Sequence, residues 1–310
     1  MPELPEVEYT RRLLRPALEG ARFVRVTTRR ADLRYPFPTD FAARLEGQDV
    51  RALTRRAKYL LAELSSGDIL VMHLGMSGSF RVEGPAEAGR HVRTGPAEAG
   101  PHVLKIHDHV IFEMSSSTGI GRTVIFNDPR RFGFMKLLEP TPSSGDWTEG
   151  VIGPEPLDRR FTADTLARAL RGKKTTLKAA LLDQRVVAGL GNIYVCEALH
   201  RARLSPKRKA STIATRGLKE RRHGVPVDLK ERRQGVPVDA AATPKAEALV
   251  AAIKDTLRDA IAHHHRPAGP DRFLVYDREG ERCPRRRCPG TIRRIVQGGR
   301  STFFCPTCQR

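Results

Sequence analysis

The chain lacks any apolar run near the roughly 20 residues that a membrane-crossing helix needs. Its first residues also lack a charged stretch leading into an apolar core, so neither a membrane span nor a secretory leader is expected, and the cytoplasm is the expected compartment. Acidic residues are scarce: 35 Asp+Glu face 55 Lys+Arg across 310 residues, a net charge of +20. That balance predicts a polyanionic partner, with nucleic acid ahead of ribosomal RNA or an anionic membrane surface. Length alone predicts two domains.

Cysteine is scarce too, with five in all. Cys196 stands alone and reads as a small buried hydrophobe on a helix. Cys283, Cys288, Cys305 and Cys308 crowd the end as a C-x4-C and a C-x2-C pair, a spacing that points to one structural zinc and not to disulfides in a reducing compartment. Thr291 to Val296 and Ser301 to Phe304 read as strands around the turn Gln297-Gly298-Gly299-Arg300, which presents Arg300 at a hairpin tip. Eight arginines (282, 285, 286, 287, 293, 294, 300, 310) against Glu281 alone make this a DNA-binding element, with a purely structural knuckle as the plainer alternative.

Between the ends the period changes. Short apolar runs at Arg22 to Thr27, Tyr59 to Leu64, Ile69 to Leu74, Val110 to Glu113, Thr123 to Phe126 and Phe134 to Leu138 predict a β-sandwich or barrel. From Phe161 the period is helical: Phe161 to Arg171, Thr175 to Leu182, Asn192 to Arg201 and Pro244 to His264. Gly145 to Pro156 is the expected linker. Two duplications with an 11-residue offset, Gly84 to Gly89 repeated at Gly95 to Gly100 and Leu218 to Asp228 repeated to Asp239, read as tolerated surface insertions without chemistry.

The start, Met1-Pro2-Glu3-Leu4-Pro5-Glu6-Val7-Glu8, admits two readings. Loss of Met1 leaves a secondary amine that titrates near pH ~8 and is partly nucleophilic at neutrality, with Glu3 beside it to carry protons. The plainer reading is a helix leader with Pro5 at the first helical position. On these residues alone the leader is favoured.

Six motifs decide otherwise: the opening octapeptide, Arg56-Ala57-Lys58-Tyr59-Leu60, His73-Leu74-Gly75-Met76-Ser77-Gly78, Asp128-Pro129-Arg130-Arg131-Phe132-Gly133, Gly189-Leu190-Gly191-Asn192-Ile193-Tyr194, and the four cysteines. With these the chain closely resembles the bacterial formamidopyrimidine-DNA glycosylase family. The resemblance implies an α+β protein: an N-terminal β-sandwich domain over 1–145 (insertion about 84–103), a helical helix–two-turn–helix domain over 155–265 (insertion about 217–242), and a zinc-bound β-hairpin over 273–310. It implies a base-excision-repair glycosylase and abasic-site lyase for double-stranded damaged DNA, acting as a monomer. The oxidised purine is flipped out of the duplex. Pro2 attacks C1′ to give an iminium, Glu3 handles protons at the sugar, Lys58 serves β-elimination and Arg300 δ-elimination. Met76, Arg130 and Phe132 fill the vacated space. His107, Lys173, Asn192, Tyr276 and Arg294 contact the DNA.

One departure shapes the substrate expectation. Ala262 to Phe273 is shorter than the family's lid over the flipped base, which implies formamidopyrimidines ahead of 8-oxoguanine. The alternatives are an endonuclease VIII-like enzyme for oxidised pyrimidines, against which Leu4 argues, and a noncatalytic binder of damaged DNA.

Overall fold

The computed structural model describes residues 2–84, 104–115, 121–139, 151–214, 243–263 and 273–310. Most of both duplications, part of the expected linker and the shortened loop at 264–272 lie outside the described residues. The chain forms two compact units, Met1–Trp147 and Thr148–Arg310. Among the described residues no helix is long and apolar enough to cross a membrane.

The first unit is a sandwich of two four-stranded antiparallel sheets. One has the order β1 (Arg22–Thr28), β6 (Asp108–Ser115), β7 (Arg122–Asn127), β5 (Ser79–Glu83). The other runs β2 (Val50–Arg56), β3 (Tyr59–Leu64), β4 (Ile69–His73), β8 (Phe134–Leu138). Their inner faces meet in one apolar core with Phe23, Leu53, Leu60, Met72, Phe112 and Phe126. A short helix, α2 (Phe41–Leu45), adds Phe41 and Leu45 to it. The six expected strands are present, two of them with the expected ends. β2 and β5 were not foreseen. In β2 a register shift between Val50 and Ala52 breaks the alternation that marks a strand, and β5 is a five-residue edge strand.

Helix α1 (Leu4–Leu18) begins one residue before the expected place. The Glu3 backbone N–H donates to Glu6 Oε2 at 3.0 Å, so Glu3 takes the cap and Pro5 falls second in the helix. Leu4, Leu14 and Leu18 are wholly buried, and truncating any of them to alanine is expected to cost about 2–5 kcal/mol.

In the second unit α3 (Ala163–Leu170), α4 (Leu177–Leu182), α5 (Asn192–Arg201) and α6 (Pro244–Ala262) enclose Leu166, Leu181, Leu199 and Ile253. Thr162, Thr176 and Thr243 cap α3, α4 and α6 through their hydroxyls. The hairpin β9 (Arg293–Gln297) and β10 (Arg300–Phe304) closes through Gly298 and Gly299, both at positive φ, as a two-residue turn of this hand requires. Phe303, Cys196 and Val275 form a small separate core beneath it.

Candidate active site

Helix α1 is bolted antiparallel along β2. The Gly20 N–H donates to Val50 O at 2.8 Å, and Arg55 Nε meets Glu8 Oε2 at 3.3 Å near the other end. Burial opposes ionisation of Glu8, but Arg11, Arg12 and Arg55 outweigh it and hold the carboxyl below its ordinary value. Pro2 stands just before the first turn of α1, less than two turns ahead of Glu8, and Lys58 lies in the turn that ends β2, three residues after Arg55. Pro2, Glu3 and Lys58 therefore overhang the same end of this helix–strand pair. Glu3 is 1% exposed and sits at the positive end of the helix dipole, which favours its anion. Lys58 occupies the two-residue β2–β3 turn, whose other residue, Ala57, is held at φ 53°, a strained position for a residue with a Cβ. Arg55 Nη1 fixes that turn by donating to Ala57 O at 2.7 Å.

The expected wedge residues lie on two loops that touch. Gly75 leaves no room for a side chain: a Cβ there would stand 2.2 Å from the Phe132 carbonyl carbon. Asp128, fully buried, joins the loops by accepting from Ser77 Oγ at 2.6 Å and from the Gly133 N–H at 2.7 Å. The Arg130 N–H donates to Ser77 Oγ, and the Arg130 guanidinium lies 4.9 Å from the Phe132 ring centre. Met76 and Phe132 remain 40% and 41% exposed, unusual for large apolar side chains and suited to entering a base stack.

His107 belongs to the same rim. Its carbonyl accepts the Asp128 N–H at 3.0 Å, and the next residue, Asp108, is fixed by a bidentate pair with Arg81 at 2.6 and 2.7 Å. Sequence reasoning missed Asp128 and His73. His73 stacks on Phe134 and accepts the Gly75 N–H on Nδ1; burial, then the charges of Lys58 and Arg34, push its pKa down to about 4.

In the second unit Arg300 opens β10 beside the turn. Its successor, Ser301, is held by two donors to its carbonyl, Lys178 Nζ at 3.0 Å and Asn192 Nδ2 at 2.9 Å. Asn192 thus acts as an internal strut at the start of α5. Lys173 lies 3.8 Å from Asp183, and Asp183 and Arg300 share a cavity of about 270 Å³. Arg294 donates to Ser301 Oγ, and Tyr276 stacks edge-on against Phe303 at 5.1 Å. Lys178 and Glu197 were not foreseen. Glu197 accepts the backbone N–H groups of Leu274, Val275 and Tyr276, at 2.8 to 2.9 Å, while burial pushes its carboxyl up.

The four cysteines converge as expected. Their sulfurs all lie within 4.8 Å of one another, with Cys283–Cys308 at 3.8 Å and Cys288–Cys305 at 3.7 Å. A zinc with Zn–S bonds of about 2.3 Å has tetrahedral edges of about 3.8 Å, so the residues fit the ion. His200 Nε2 stands 3.4 Å from Cys283 Sγ and orients it.

An exposed methionine and phenylalanine beside an arginine have no use on a metabolite, whereas an enzyme that lifts a base from a duplex needs such a wedge. The class is a DNA base-excision enzyme with a zinc finger. Family models match at three places: the formamidopyrimidine-DNA glycosylase N-terminal domain at residues 1–135, its H2TH domain at 152–225, and a zinc finger found in FPG and IleRS at 280–310. A formamidopyrimidine-DNA glycosylase of Rhodopseudomonas palustris (strain HaA2) is 54% identical, with 100% of each chain covered. Among solved structures, the Lactococcus lactis enzyme bound noncovalently to DNA containing an AP site is 27% identical (TM-score 0.72, 99% of each chain). A MutM in complex with DNA containing carbocyclic 8-oxo-G is also 27% identical (TM-score 0.74, 100% of each chain). The chain belongs to the formamidopyrimidine-DNA glycosylase family. It carries the glycosylase and abasic-site lyase activities of that family, and its knuckle holds one structural zinc.

Proposed function

We propose that this chain removes formamidopyrimidine and 8-oxoguanine from double-stranded DNA and cleaves the strand at the resulting abasic site, with Pro2 as the nucleophile. The observation that carries the assignment of roles is the buried Glu3 carboxylate capping α1 directly after Pro2. The Pro2 nitrogen attacks C1′, the bond to the base breaks, and the departing base takes up a proton. Glu3 receives the amine proton and assists opening of the sugar ring. A secondary amine yields a cationic iminium, which acidifies the C2′ proton; its removal expels the 3′ phosphate, and a second elimination expels the 5′ phosphate. Lys58 serves the first elimination and Arg300 the second. Met76, Arg130 and Phe132 occupy the gap left by the flipped base. His107, Lys173, Asn192, Tyr276 and Arg294 hold the flanking strand.

In this reading 1–145 is the catalytic domain, 155–265 the helix–two-turn–helix domain and 273–310 the zinc finger, working as a monomer in the bacterial cytoplasm. Borohydride trapping on duplexes with formamidopyrimidine, 8-oxoguanine, dihydrouracil or an abasic site tests it. Adducts are expected with the two purine lesions and the abasic site. No adduct with any duplex would overturn the lyase role, an adduct at full yield from Pro2→Gly would overturn the nucleophile, and a dominant dihydrouracil adduct would favour the endonuclease VIII-like reading.

A further inference from the structure

Helix α5 and the zinc hairpin run side by side and touch at both ends. At one end Asn192 Nδ2 donates to Ser301 O, next to Arg300. At the other, Arg285 Nη2 donates to His200 O at 2.7 Å, and the Arg310 N–H donates to Arg203 O at 3.1 Å. Ten helical residues span about 15 Å, so the two ends are separate surfaces. If the Arg300 end holds the damaged DNA, as the proposed function has it, the far end lies about 15 Å along α5 from that contact.

That far end is a cavity of about 500 Å³ lined by Arg203, Arg285, Arg286, Arg287 and Arg310, and no carboxylate side chain lines it. Arg285 is committed to the end of α5. Arg203, Arg286 and Arg287 are exposed and form no ion pair among the described residues, while the terminal oxygen of Arg310 accepts from Arg208 Nε at 3.3 Å. A zinc tetrathiolate leaves two net negative charges, so these arginines exceed what the cluster needs for neutrality. Guanidinium forks match phosphate oxygens bidentately, which suits arginine to nucleic-acid backbones. Arg203 and Arg287 sit at φ 59° and 62°, a conformation glycine adopts without strain.

We propose that this pocket binds the phosphate backbone of a second duplex segment while the hairpin end holds the first, so that the protein passes directly between DNA segments. Release of a labelled undamaged duplex from the full-length zinc-loaded protein tests this, chased by unlabelled duplex from about 1 to 100 µM, the range of nonspecific binding. The release rate of the wild type is expected to rise several-fold with chase concentration. In the variant Arg203→Gly, Arg286→Ser, Arg287→Gly it is expected to stay at the dilution value with zinc content unchanged. A concentration-independent rate in the wild type, or equal acceleration in the variant, overturns the proposal. So does acceleration by phosphatidylserine vesicles in place of duplex, which would make the partner a membrane. If the triple variant loses zinc, Arg286→Ser alone decides: full wild-type acceleration overturns the proposal, and reduced acceleration supports it. A wild type that binds no duplex overturns the proposed function and this proposal together, whereas binding with constant release overturns this one alone.

Discussion

In the first unit, the loops that carry Met76, Arg130 and Phe132 rest on an apolar sandwich core and are tied by one carboxylate, Asp128, with glycine backbones pressed together around it. In the second unit, Arg300 rides on a hairpin whose own core is a handful of side chains. Its shape is held by groups that are costly to bury, Lys178, Glu197 and His200, and by the four-cysteine cluster. The difference follows from area. Large apolar faces fix geometry without polar partners, whereas a small knuckle has too little apolar surface and needs metal and charge-assisted hydrogen bonds to specify one conformation. Loss of the metal or of the Lys178 ammonium should therefore reach Arg300 and leave the Pro2 end intact.

The largest expected effect is loss of zinc. Structural zinc contributes about 10–16 kcal/mol of binding free energy that is coupled to folding. Chelation, or Cys305→Ser, is expected to expose 283–310 to protease and abolish DNA binding, while the first unit keeps its protection. Mass spectrometry of limited digests checks this. Equal cleavage in both units would mean that their stabilities are not separable.

A smaller but still large effect is expected for Asp128→Ala. It leaves the Ser77 hydroxyl and the Gly133 N–H without their acceptor in a buried place, at a cost of about 3 kcal/mol. Urea melts should register the loss, and single-turnover base excision should slow because the wedge loops part. A stable Asp128→Ala protein with normal excision would show that packing alone sets the wedge.

Acid should act next, and through the first unit. His73 has a folded pKa of about 4 against 6.5 in the unfolded chain, so the unfolded state binds the extra proton between these values. The stabilisation is fully present above pH 6.5, declines as pH falls, and is lost through pH 4. The full swing is about 3 kcal/mol. Urea midpoints at pH 7 and 4.5 should differ in the wild type and converge in His73→Gln.

How much of this was legible in the sequence depends on the range of the interaction. Local patterns exposed the hairpin, α5 and the four cysteines, because turn glycines, helical period and ligand spacing are written in neighbouring residues. The role proposed for Pro2 and Glu3 comes only through resemblance, since these residues alone read as a helix leader. Asp128 stood inside a recognised motif, but its partner Ser77 lies 51 residues away. Lys178 read as one polar residue in an apolar helix, and its partner Thr302 is 124 residues distant. Burial of a charge is created by folding, so no local pattern announces it.

Lys178 gives the subtlest and most direct contrast between the units. It is 1% exposed, and its ammonium donates to Ser301 O and, at 2.5 Å, to Thr302 Oγ1. Methionine is close in volume and removes the burial cost of the charge together with its hydrogen bonds, so Lys178→Met is expected to change stability by only about 1 kcal/mol. Its effect should appear in chemistry. With the Ser301 carbonyl accepting from Asn192 alone, the peptide that carries it can turn and Arg300 loses its fixed aim. Zinc content, DNA affinity and borohydride trapping at Pro2 should stay near wild type, while the proportion of δ- to β-elimination product falls. Lys178→Arg, which keeps a donor to Ser301, should restore part of that proportion. An unchanged product ratio in Lys178→Met would mean that packing of the hairpin orients Arg300 without the buried ammonium, and the contrast between the two units would reduce to the metal alone.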